Sequence, residues 1–381
     1  MDEFNIWDLE RVHIKIDVKV LQTINGKIFS RFKTKRKAYF KIFSKKEIPF
    51  DTFRNLLKYS YIKDFFVPLK IYLRLIDNLN ISRKDFQNNI IAYKTGKGKN
   101  YITKPTLPIK ITPIFDMILA HNISDGTVIN PKKGRLPYFG YRQFDKFYRN
   151  LYIKKIEDVF GDIVFSKRYF EESTRPHCPP VLSSLFFKCY NLNERSFLSK
   201  YARIPKEIFS KDKNHLLAIL IAFIIDEGHI DSTHIFIKLR NEGLTSDLKK
   251  ICDTLEYKSK SIYGKCETKD YGYLYILREG MKKLYKDYLS LRRKYPVVDM
   301  GRKGKKIEDS FKIYYRTIYK TKGNKEIILD ILEKEQSSVN QLANRINMTR
   351  QGVRFHIHNL IKDNKIKIIN KDNPNWIYCS K

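Results

Sequence analysis

Two short stretches of the chain repeat one pattern, an apolar run that ends in an acidic residue followed at once by glycine. The first runs from Ile118 to Asp125-Gly126, and the second from Leu220 to Glu227-Gly228. A carboxylate at the C-terminal end of a helix faces the unfavourable end of the helix dipole, and a buried, unpaired carboxylate costs several kcal/mol. Two such ends brought together concentrate negative charge that a divalent metal ion can neutralise. The repeat therefore predicts a site where two helix ends meet.

The charge of the chain points to a polyanionic partner. Its 381 residues include 75 Lys and Arg against 41 Asp and Glu, a formal net charge of +34. Nucleic acid is the first candidate partner, because each phosphate neutralised by Lys or Arg releases condensed counterions, and an anionic membrane surface is the second. The longest apolar run, Leu216 to Ile225, is too short to span a bilayer, and the N-terminus lacks the pattern of a signal peptide. We expect a cytoplasmic, monomeric protein of two or three domains whose five cysteines are reduced.

Residues 1–105 form a basic opening region of mixed α/β character. The alternation from His13 to Val20 predicts a half-buried strand, and Lys27 to Phe43 is expected to supply further strands. Helical periodicity begins after Pro49, and two short helices precede the basic run from Tyr93 to Lys99. This region is either a helix-turn-helix-like module that binds DNA phosphates or a small helical module followed by a solvated loop.

The segments that follow the two motifs have nearly the same order, which predicts two related halves, residues 106–210 and 211–305. Ile163 to Phe170 and Val181 to Tyr190 are expected to be the third and fourth strands of the first half. The second half is expected to repeat the order with a strand pair, a helix, a hairpin and a closing helix. An internal pseudo-twofold axis relating the halves would place the two acidic helix ends side by side.

Beyond a basic linker from Arg302 to Lys306, residues 320–381 have the pattern of a winged helix-turn-helix domain. Thr349 caps the third of its three helices, and two strands after that helix form the wing. The open face of the third helix is where such a domain contacts base edges and phosphates. The side chains expected on this face are Arg350, Gln351, Arg354 and His358. The alternative is a winged helix that contacts other proteins.

The two motifs resemble those of the LAGLIDADG homing endonucleases, in the single-chain form that carries both. The similarity extends upstream of the second motif, where Arg203 to Ile208 and His215 to Gly228 resemble the junction between the halves in archaeal members. It covers the chain from Leu107 to Met300. The resemblance implies an α+β fold in which two pseudo-twofold-related αββαββα halves form a saddle that lies in the major groove of double-stranded DNA. The winged helix and the N-terminal region are additions to this saddle.

The resemblance also implies a set of functional residues. Asp125 and Glu227, with the adjacent Gly126 and Gly228, would bind the divalent metal, Mg²⁺ or Mn²⁺. Metal ions held by such carboxylates can activate a water and stabilise the leaving 3′ oxygen. Four further residues near strand ends are expected to act in catalysis: Gln143, Lys188, Lys238 and Arg278. Besides the winged-helix side chains, the expected DNA contacts are Arg142, Lys238 and Arg240.

Three functions stay open at this point: a site-specific double-strand DNA endonuclease, a DNA-binding regulator that no longer cleaves, and a maturase that binds structured RNA. The first motif carries His121 and Asn122 where the family is apolar or small. Asp226 stands where a small residue normally allows close helix approach, so it either adds a metal ligand or spreads the helices. The pair Asp125 and Glu227 favours the enzyme, because a protein that only binds a polyanion has no need of two carboxylates facing phosphate.

Overall fold

The computed structural model describes residues 3–59, 65–96, 98–129, 136–165, 178–266, 269–318, 323–370 and 376–380. It is a mixed α+β structure in which every strand pairing among these residues is antiparallel. One continuous hydrophobic core extends from Phe4 to Ile307, and a separate core lies between Ile328 and Tyr378. Within the described ranges, no helix is long and apolar enough to cross a membrane.

The N-terminal region combines helices with short strands. The helices are α1 (Val18–Phe32), α2 (Lys35–Ile42), α3 (Phe50–Tyr59), α4 (Leu69–Asn78) and α5 (Arg83–Gln87). The strands are β1 (Glu3–Phe4), β2 (Val12–Ile16), β3 (Val67–Pro68), β4 (Ile90–Thr95), β5 (Tyr101–Thr103) and β6 (Ile109–Lys110). The expectation of strands between Lys27 and Phe43 was wrong. Asp17 and Thr34 each accept a hydrogen bond from a first-turn backbone N–H, and these N-caps start the helices that cover the segment.

The first half departs from the expected order. Its elements are α6 (Pro113–Ser124), β7 (Gly126–Ile129), β8 (Tyr138–Tyr141), α7 (Lys146–Phe160), β9 (Asp162–Val164) and α8 (Pro180–Cys189). The prediction of a strand from Val181 to Tyr190 was wrong, because this segment is helix α8. Pro180 stands at the first helical position, which proline favours. Leu182, Leu185 and Phe186 follow at helical spacing and are buried.

The strands of the first half do not form one four-stranded sheet. Strand β7 pairs with β8 in a two-stranded sheet, whereas β9 joins the N-terminal sheet, whose order is β3-β2-β4-β5-β9. Strand β1 likewise pairs with β6, on the far side of the expected boundary at residue 105. The N-terminal region therefore shares a sheet and a core with the first half. Residues 166–177, which contain most of the expected third strand, lie outside the described residues.

The second half follows the order helix, strand, strand, helix, strand, strand, helix. Its elements are α9 (Lys213–Glu227), β10 (Gly228–Ile230), β11 (His234–Leu239), α10 (Glu242–Thr254), β12 (Ser259–Cys266), β13 (Lys269–Leu277) and α11 (Arg278–Lys294). The four strands form an antiparallel sheet in the order β10-β11-β13-β12. Ile235, Ile237 and Leu239 face the core. The alternate residues of β11 lie on the opposite, open face of the sheet.

The open face of this sheet carries a row of three aromatic rings and one lysine that crosses all four strands. The strand register aligns His229 with Phe236, Phe236 with Tyr275, and Tyr275 with Lys260. The ring centroids of His229 and Phe236 are 4.9 Å apart, and those of Phe236 and Tyr275 are 6.1 Å apart. The Lys260 ammonium lies 5.4 Å from the centroid of Tyr275. The sheet thus presents a surface that is both aromatic and basic.

The C-terminal part begins with a long helix. Its elements are α12 (Gly301–Ile318), α13 (Asn324–Lys334), β14 (Ser337–Ser338), α14 (Val339–Ile346), α15 (Arg350–Lys362), β15 (Ile366–Asn370) and β16 (Ile377–Ser380). The three strands form a sheet in the order β14-β16-β15. The expected linker from Arg302 to Lys306 was wrong, because these residues lie in the first turns of α12. The Asp299 carboxylate accepts the Gly301 N–H at 2.7 Å, and the buried Ile307 fixes the helix on the large core.

Candidate active site

Helices α6 and α9 lie side by side and run parallel inside the large core. Near their N-terminal ends, Oδ2 of Asp116 is 2.6 Å from Nδ1 of His215. Near their C-terminal ends, Nδ1 of His121 is 2.9 Å from Oδ2 of Asp226. Almost every residue of both helices is buried, as expected for helices that are apolar on all sides. The two acidic motif ends therefore meet at the same end of the pair.

The glycine after each acid is required by a close approach of the backbone. A Cβ atom on Gly126 would lie 2.4 Å from the carbonyl oxygen of Asn122, one helical turn earlier. A Cβ atom on Gly228 would lie 2.5 Å from the carbonyl oxygen of Ile224, also one turn earlier. Real Cβ atoms do not approach backbone this closely. In both halves, the chain therefore bends back against the last turn of the motif helix at the glycine that follows the acid.

The two motif acids repel each other through space. Burial and the charges of Asp226 and Glu227 raise the pKa of Asp125 to about 7, against the opposing effect of Lys303 and Arg142. Burial and the charge of Asp226 also raise the pKa of Glu227. Both side chains remain partly exposed at the end of the helix pair. Bringing a cation to this point would relieve the repulsion.

Asp226 lies between the halves, and within the described residues its side-chain hydrogen bonds come from the first half. The Tyr141 hydroxyl donates to Oδ1 at 2.6 Å, while His121 and the Ser124 hydroxyl contact Oδ2. Burial lowers the pKa of His121, so the neutral ring donates its Nδ1 hydrogen. The carboxylate is fully buried, and three donors offset its loss of water. Asp226 therefore links the two halves through hydrogen bonds. It was expected either to add a metal ligand or to spread the helices, and this linking contact was not predicted.

Asn122 also finds partners inside the helix interface. Its Nδ2 donates to the Ile118 carbonyl oxygen at 2.7 Å and lies 2.8 Å from the Tyr152 hydroxyl. The ring of Tyr152 stacks on that of Tyr141, with centroids 4.4 Å apart. The polar residues of the first motif thus form one network with Asp226. Because their buried hydrogen-bonding groups are largely paired, they do not weaken the helix packing.

Lys303 brings a cation to the same place. Its Nζ donates to the carbonyl oxygens of Ile224 at 2.9 Å, Ile225 at 2.6 Å and Gly228 at 2.8 Å. These are the last carbonyls of the second motif helix and the one just after it, where a cation interacts favourably with the helix dipole. Burial lowers the pKa of Lys303, while the three acids oppose that shift. The ammonium group therefore lies beside the paired acids, at the C-terminal end of α9.

A further lysine is buried near Asp226. Lys155 of α7 is 1% exposed, and burial lowers its pKa to about 8, against the opposing charges of Asp226 and Asp299. An ammonium group is rarely buried unless a carboxylate lies near it. Lys155, Lys303 and Arg142 thus lie near three carboxylates, so the charges of the cluster largely balance.

Neither lysine was predicted from the sequence, nor was the contact of Tyr141 with Asp226. Lys303 was assigned to a linker, and Lys155 lies beside the apolar positions that define α7. A sequence signal did exist for Lys303. Ile307 and Phe311, four residues apart, extend the helical pattern back towards the basic run. The pattern does not predict that Lys303 contacts the C-terminal end of α9.

Four of the predicted residues lie around the acids. The backbone N–H of Arg142 donates to the Asp125 carbonyl oxygen at 3.2 Å, and its charge acts on the Asp125 carboxylate. The Gln143 side chain hydrogen-bonds the Tyr141 hydroxyl. On the other side, Lys238 and Arg240 line a cavity of about 340 Å³ together with Glu227. The predicted residues therefore place cations on both sides of the acid pair.

Lys188 and Arg278 are not brought to the acids. Lys188 lies on helix α8, and its ammonium donates to the Asp8 carbonyl oxygen at 3.0 Å. The expectation that it lies near the end of a fourth strand was wrong, because this segment is helix α8. Arg278 follows β13, but the register places Leu277 opposite His234, at the end of the sheet away from Gly228. Its guanidinium instead donates to the Ser232 carbonyl oxygen.

The predicted DNA contacts of the C-terminal module share one surface. Arg350, Gln351, Arg354 and His358 are all exposed on helix α15. Val353, Ile357 and Leu360 of the same helix are buried in the small core. Phe355 lies on the exposed side as well, with 65% of its surface accessible. The helix therefore presents a basic face with one large aromatic ring.

The chemistry of the acid pair fits a hard divalent cation. Mg²⁺ takes oxygen ligands and keeps several of its waters, so one or two carboxylates are enough to hold it. Asp125 and Glu227 supply these oxygens. The carbonyl of Gly228 is already bonded to Lys303. Among the described residues, no group of three or more His, Cys, Asp or Glu side chains has a metal-binding arrangement.

Two solved structures that resemble the chain align with it weakly. No protein-family model and no curated protein sequence matches the chain. The crystal structure of I-DmoI in complex with DNA and Ca aligns with a TM-score of 0.31 and 16% identity, over 47% of this chain and 88% of that one. The crystal structure of full-length DUF199/WhiA from Thermatoga maritima aligns with a TM-score of 0.30 and 13% identity, over 66% of this chain and 90% of that one. Neither alignment is close enough to place the chain in a family.

Proposed function

We propose that this chain is a monomeric, site-specific double-strand DNA endonuclease of the LAGLIDADG type, which acts with Mg²⁺ or Mn²⁺. The observation that carries the proposal is the meeting of two acid–glycine helix ends, where burial and the neighbouring carboxylates raise the pKa of Asp125 to about 7. A fold gains nothing from placing like charges together in a partly buried site. A hydrolase does benefit from paired carboxylates, because they can bind a metal ion next to the phosphate diester.

The residues of the chain divide the work of such a reaction. Asp125 and Glu227 would hold the metal, which would supply Lewis-acid activation of a water and stabilise the leaving 3′ oxygen. Arg142 and Lys238, on either side of the acids, neutralise non-bridging phosphate oxygens of the scissile group. Tyr141 and Asp226 fix the relative position of the two helix ends. Hydrolysis breaks the bond between phosphorus and the 3′ oxygen and leaves a 3′ hydroxyl and a 5′ phosphate.

Two surfaces support DNA as the substrate. The open face of the second-half sheet is basic, with Lys238 and Lys260 both exposed, and it adjoins the acid pair through Glu227. The C-terminal module has the helix and sheet order of a winged helix, in which α15 is the recognition helix. Together these surfaces would let the chain contact a long duplex site.

The second candidate function is a DNA-binding regulator that does not cleave. Lys303 is the observation that favours it, because its ammonium already supplies a positive charge beside Asp125 and Glu227. When a lysine of the chain neutralises the two acids, a bound metal ion is less necessary to balance their charge. The same surfaces would then read DNA without hydrolysing it.

The test is cleavage of a randomised duplex library with Mg²⁺, with sequencing of the cut ends and a parallel selection for binding. We expect recurring cuts at one long site, lost in Asp125→Asn and Glu227→Gln while both variants still bind. Asp253→Asn is the matched control, because it removes a carboxylate from the exposed surface of α10 and should leave cleavage intact. Site-selective binding without any cleavage by the wild type would establish the regulator, and selection of structured RNA alone would reject both.

A further inference from the structure

The ammonium of Lys303 has a complete set of partners at the end of α9. A lysine has three N–H donors and no acceptor, and the three carbonyl oxygens of Ile224, Ile225 and Gly228 lie at 2.6 to 2.9 Å. These carbonyls belong to residues on both sides of Glu227 in the sequence. The ammonium therefore binds the same turn of the chain that carries this acid. The contacts describe a built position for a cation.

The charge of Lys303 acts on both motif acids. It lowers the pKa of Asp125 and of Glu227, against the raising effects of burial and of the other carboxylates. Without it, the C-terminal end of the helix dipole and three carboxylates would share a largely buried volume. Lys303 is therefore the charge that lets the helix ends meet when no metal is bound.

The position of Lys303 is fixed by both halves of the chain. The Tyr148 hydroxyl of α7 donates to the Met300 carbonyl oxygen at 3.1 Å, and the Tyr288 hydroxyl of α11 accepts the Met300 N–H at 3.3 Å. Gly301 adopts a positive φ of 49°, and a Cβ atom there would lie 2.4 Å from the ring of Phe147. Helix α12 thus starts from an anchored point, and its lysine does not depend on a mobile surface chain.

We propose that Lys303 is the resident cation of the paired-acid site, meaning that its ammonium supplies the positive charge there when no metal is bound. A divalent metal that binds Asp125 and Glu227 must then do so against the repulsion of this ammonium. The inference rests on the proposed function, because it takes these two acids as metal ligands. It adds that the chain lowers its own metal affinity. Bound metal would repel the Lys303 ammonium and weaken its hold on the end of α9, which links occupancy of the site to the start of α12.

The test is Mn²⁺ binding to the full chain in the absence of DNA, measured by calorimetry. Removing one nearby positive charge in Lys303→Gln should tighten Mn²⁺ binding by about tenfold, since charges within a few ångströms interact by more than 1 kcal/mol even near a surface. Gln retains N–H donors for the helix carbonyls, and Lys303→Met serves as a second variant without them. Lys303→Arg should bind Mn²⁺ as the wild type does.

Lys305→Met is the matched control, because Lys305 is exposed on the same helix and its loss changes the net charge equally. The gain in Lys303→Gln should be absent in Lys305→Met and should disappear when Asp125→Asn is added. Equal affinity in Lys303→Gln and the wild type would overturn the inference, as would an equal gain in the control. If the expected gain is seen but no variant cuts DNA, the endonuclease proposal fails while the resident cation stands. If the wild type cuts DNA and Lys303→Gln shows no gain in Mn²⁺ affinity, the endonuclease proposal stands and the inference about Lys303 fails.

Discussion

Replacing Asp125 by Asn should make the protein more stable at neutral and alkaline pH. The pKa of Asp125 is about 7 in the folded chain against an ordinary value of 3.8, so the folded state resists ionisation of this carboxyl. Three pKa units correspond to about 4 kcal/mol at 1.36 kcal/mol per unit. Because the side chain is partly exposed and screened by solvent, we expect about half of this, roughly 2 kcal/mol. Asn has the shape of the protonated acid and carries no charge.

The pH dependence follows from the direction of the shift. A carboxyl with a raised pKa binds its proton more tightly in the folded state, so its contribution to stability is lost as pH rises from about 4 to about 7. The advantage of Asp125→Asn should therefore be full at pH 8, smaller at pH 5 and nearly absent below pH 4. Urea denaturation of both proteins at several pH values, with a chelator present, measures it. Asp253→Asn, which removes an exposed carboxylate of α10, is the control.

A different result would refute the argument. If Asp125→Asn is less stable than the wild type at pH 8, the carboxylate makes a favourable contact that outweighs its repulsion by Asp226 and Glu227. If the gain is the same at pH 4 and pH 8, it does not come from ionisation.

Three further perturbations test other parts of the structure. Gly126→Ala should cost more than about 2 kcal/mol in urea denaturation, because its Cβ would meet backbone at 2.4 Å, whereas Gly26→Ala in helix α1, with nothing within 4 Å, should gain up to about 1 kcal/mol. Lys155→Met should be more stable than the wild type at pH 7. The gap should close as pH rises from about 8 to 10.5, because the folded pKa of Lys155 is lowered to about 8 and the unfolded chain keeps its proton longer. Arg354→Ala should weaken duplex binding and reduce its salt slope by about one, and Arg345→Ala, whose side chain pairs with Glu335, should leave both unchanged in a filter-binding assay.

The sequence predicts best where one local pattern determines the local structure. Asp125-Gly126 and Glu227-Gly228 each combine an apolar helix, an acid and a residue without a Cβ, and each component has a direct structural reason. The exposed face of α15 was predictable on the same grounds, because Val353 and Ile357 define its buried side. Such features depend on residues close in sequence.

The prediction failed where a short apolar segment suited either a helix or a strand. Val181 to Tyr190 has enough apolar residues for a buried strand, and only the proline at its start and the spacing of Leu182, Leu185 and Phe186 favour the helix. The cation of the site could not be predicted for a different reason. Lys303 meets carbonyls 75 to 79 positions earlier in the chain, and that contact depends on the packing of α12 on the core.

The two Asp–His contacts of the helix pair have a consequence for how the halves can associate. Helix α6 contributes Asp116 and His121, and α9 contributes the complementary His215 and Asp226. By the alignment of the motifs, two copies of α9 would bury Asp226 against Asp226. Two copies of α6 would set Asp116 against Pro113, which offers it no donor. The contacts therefore favour the pairing of α6 with α9 over the pairing of either helix with a copy of itself.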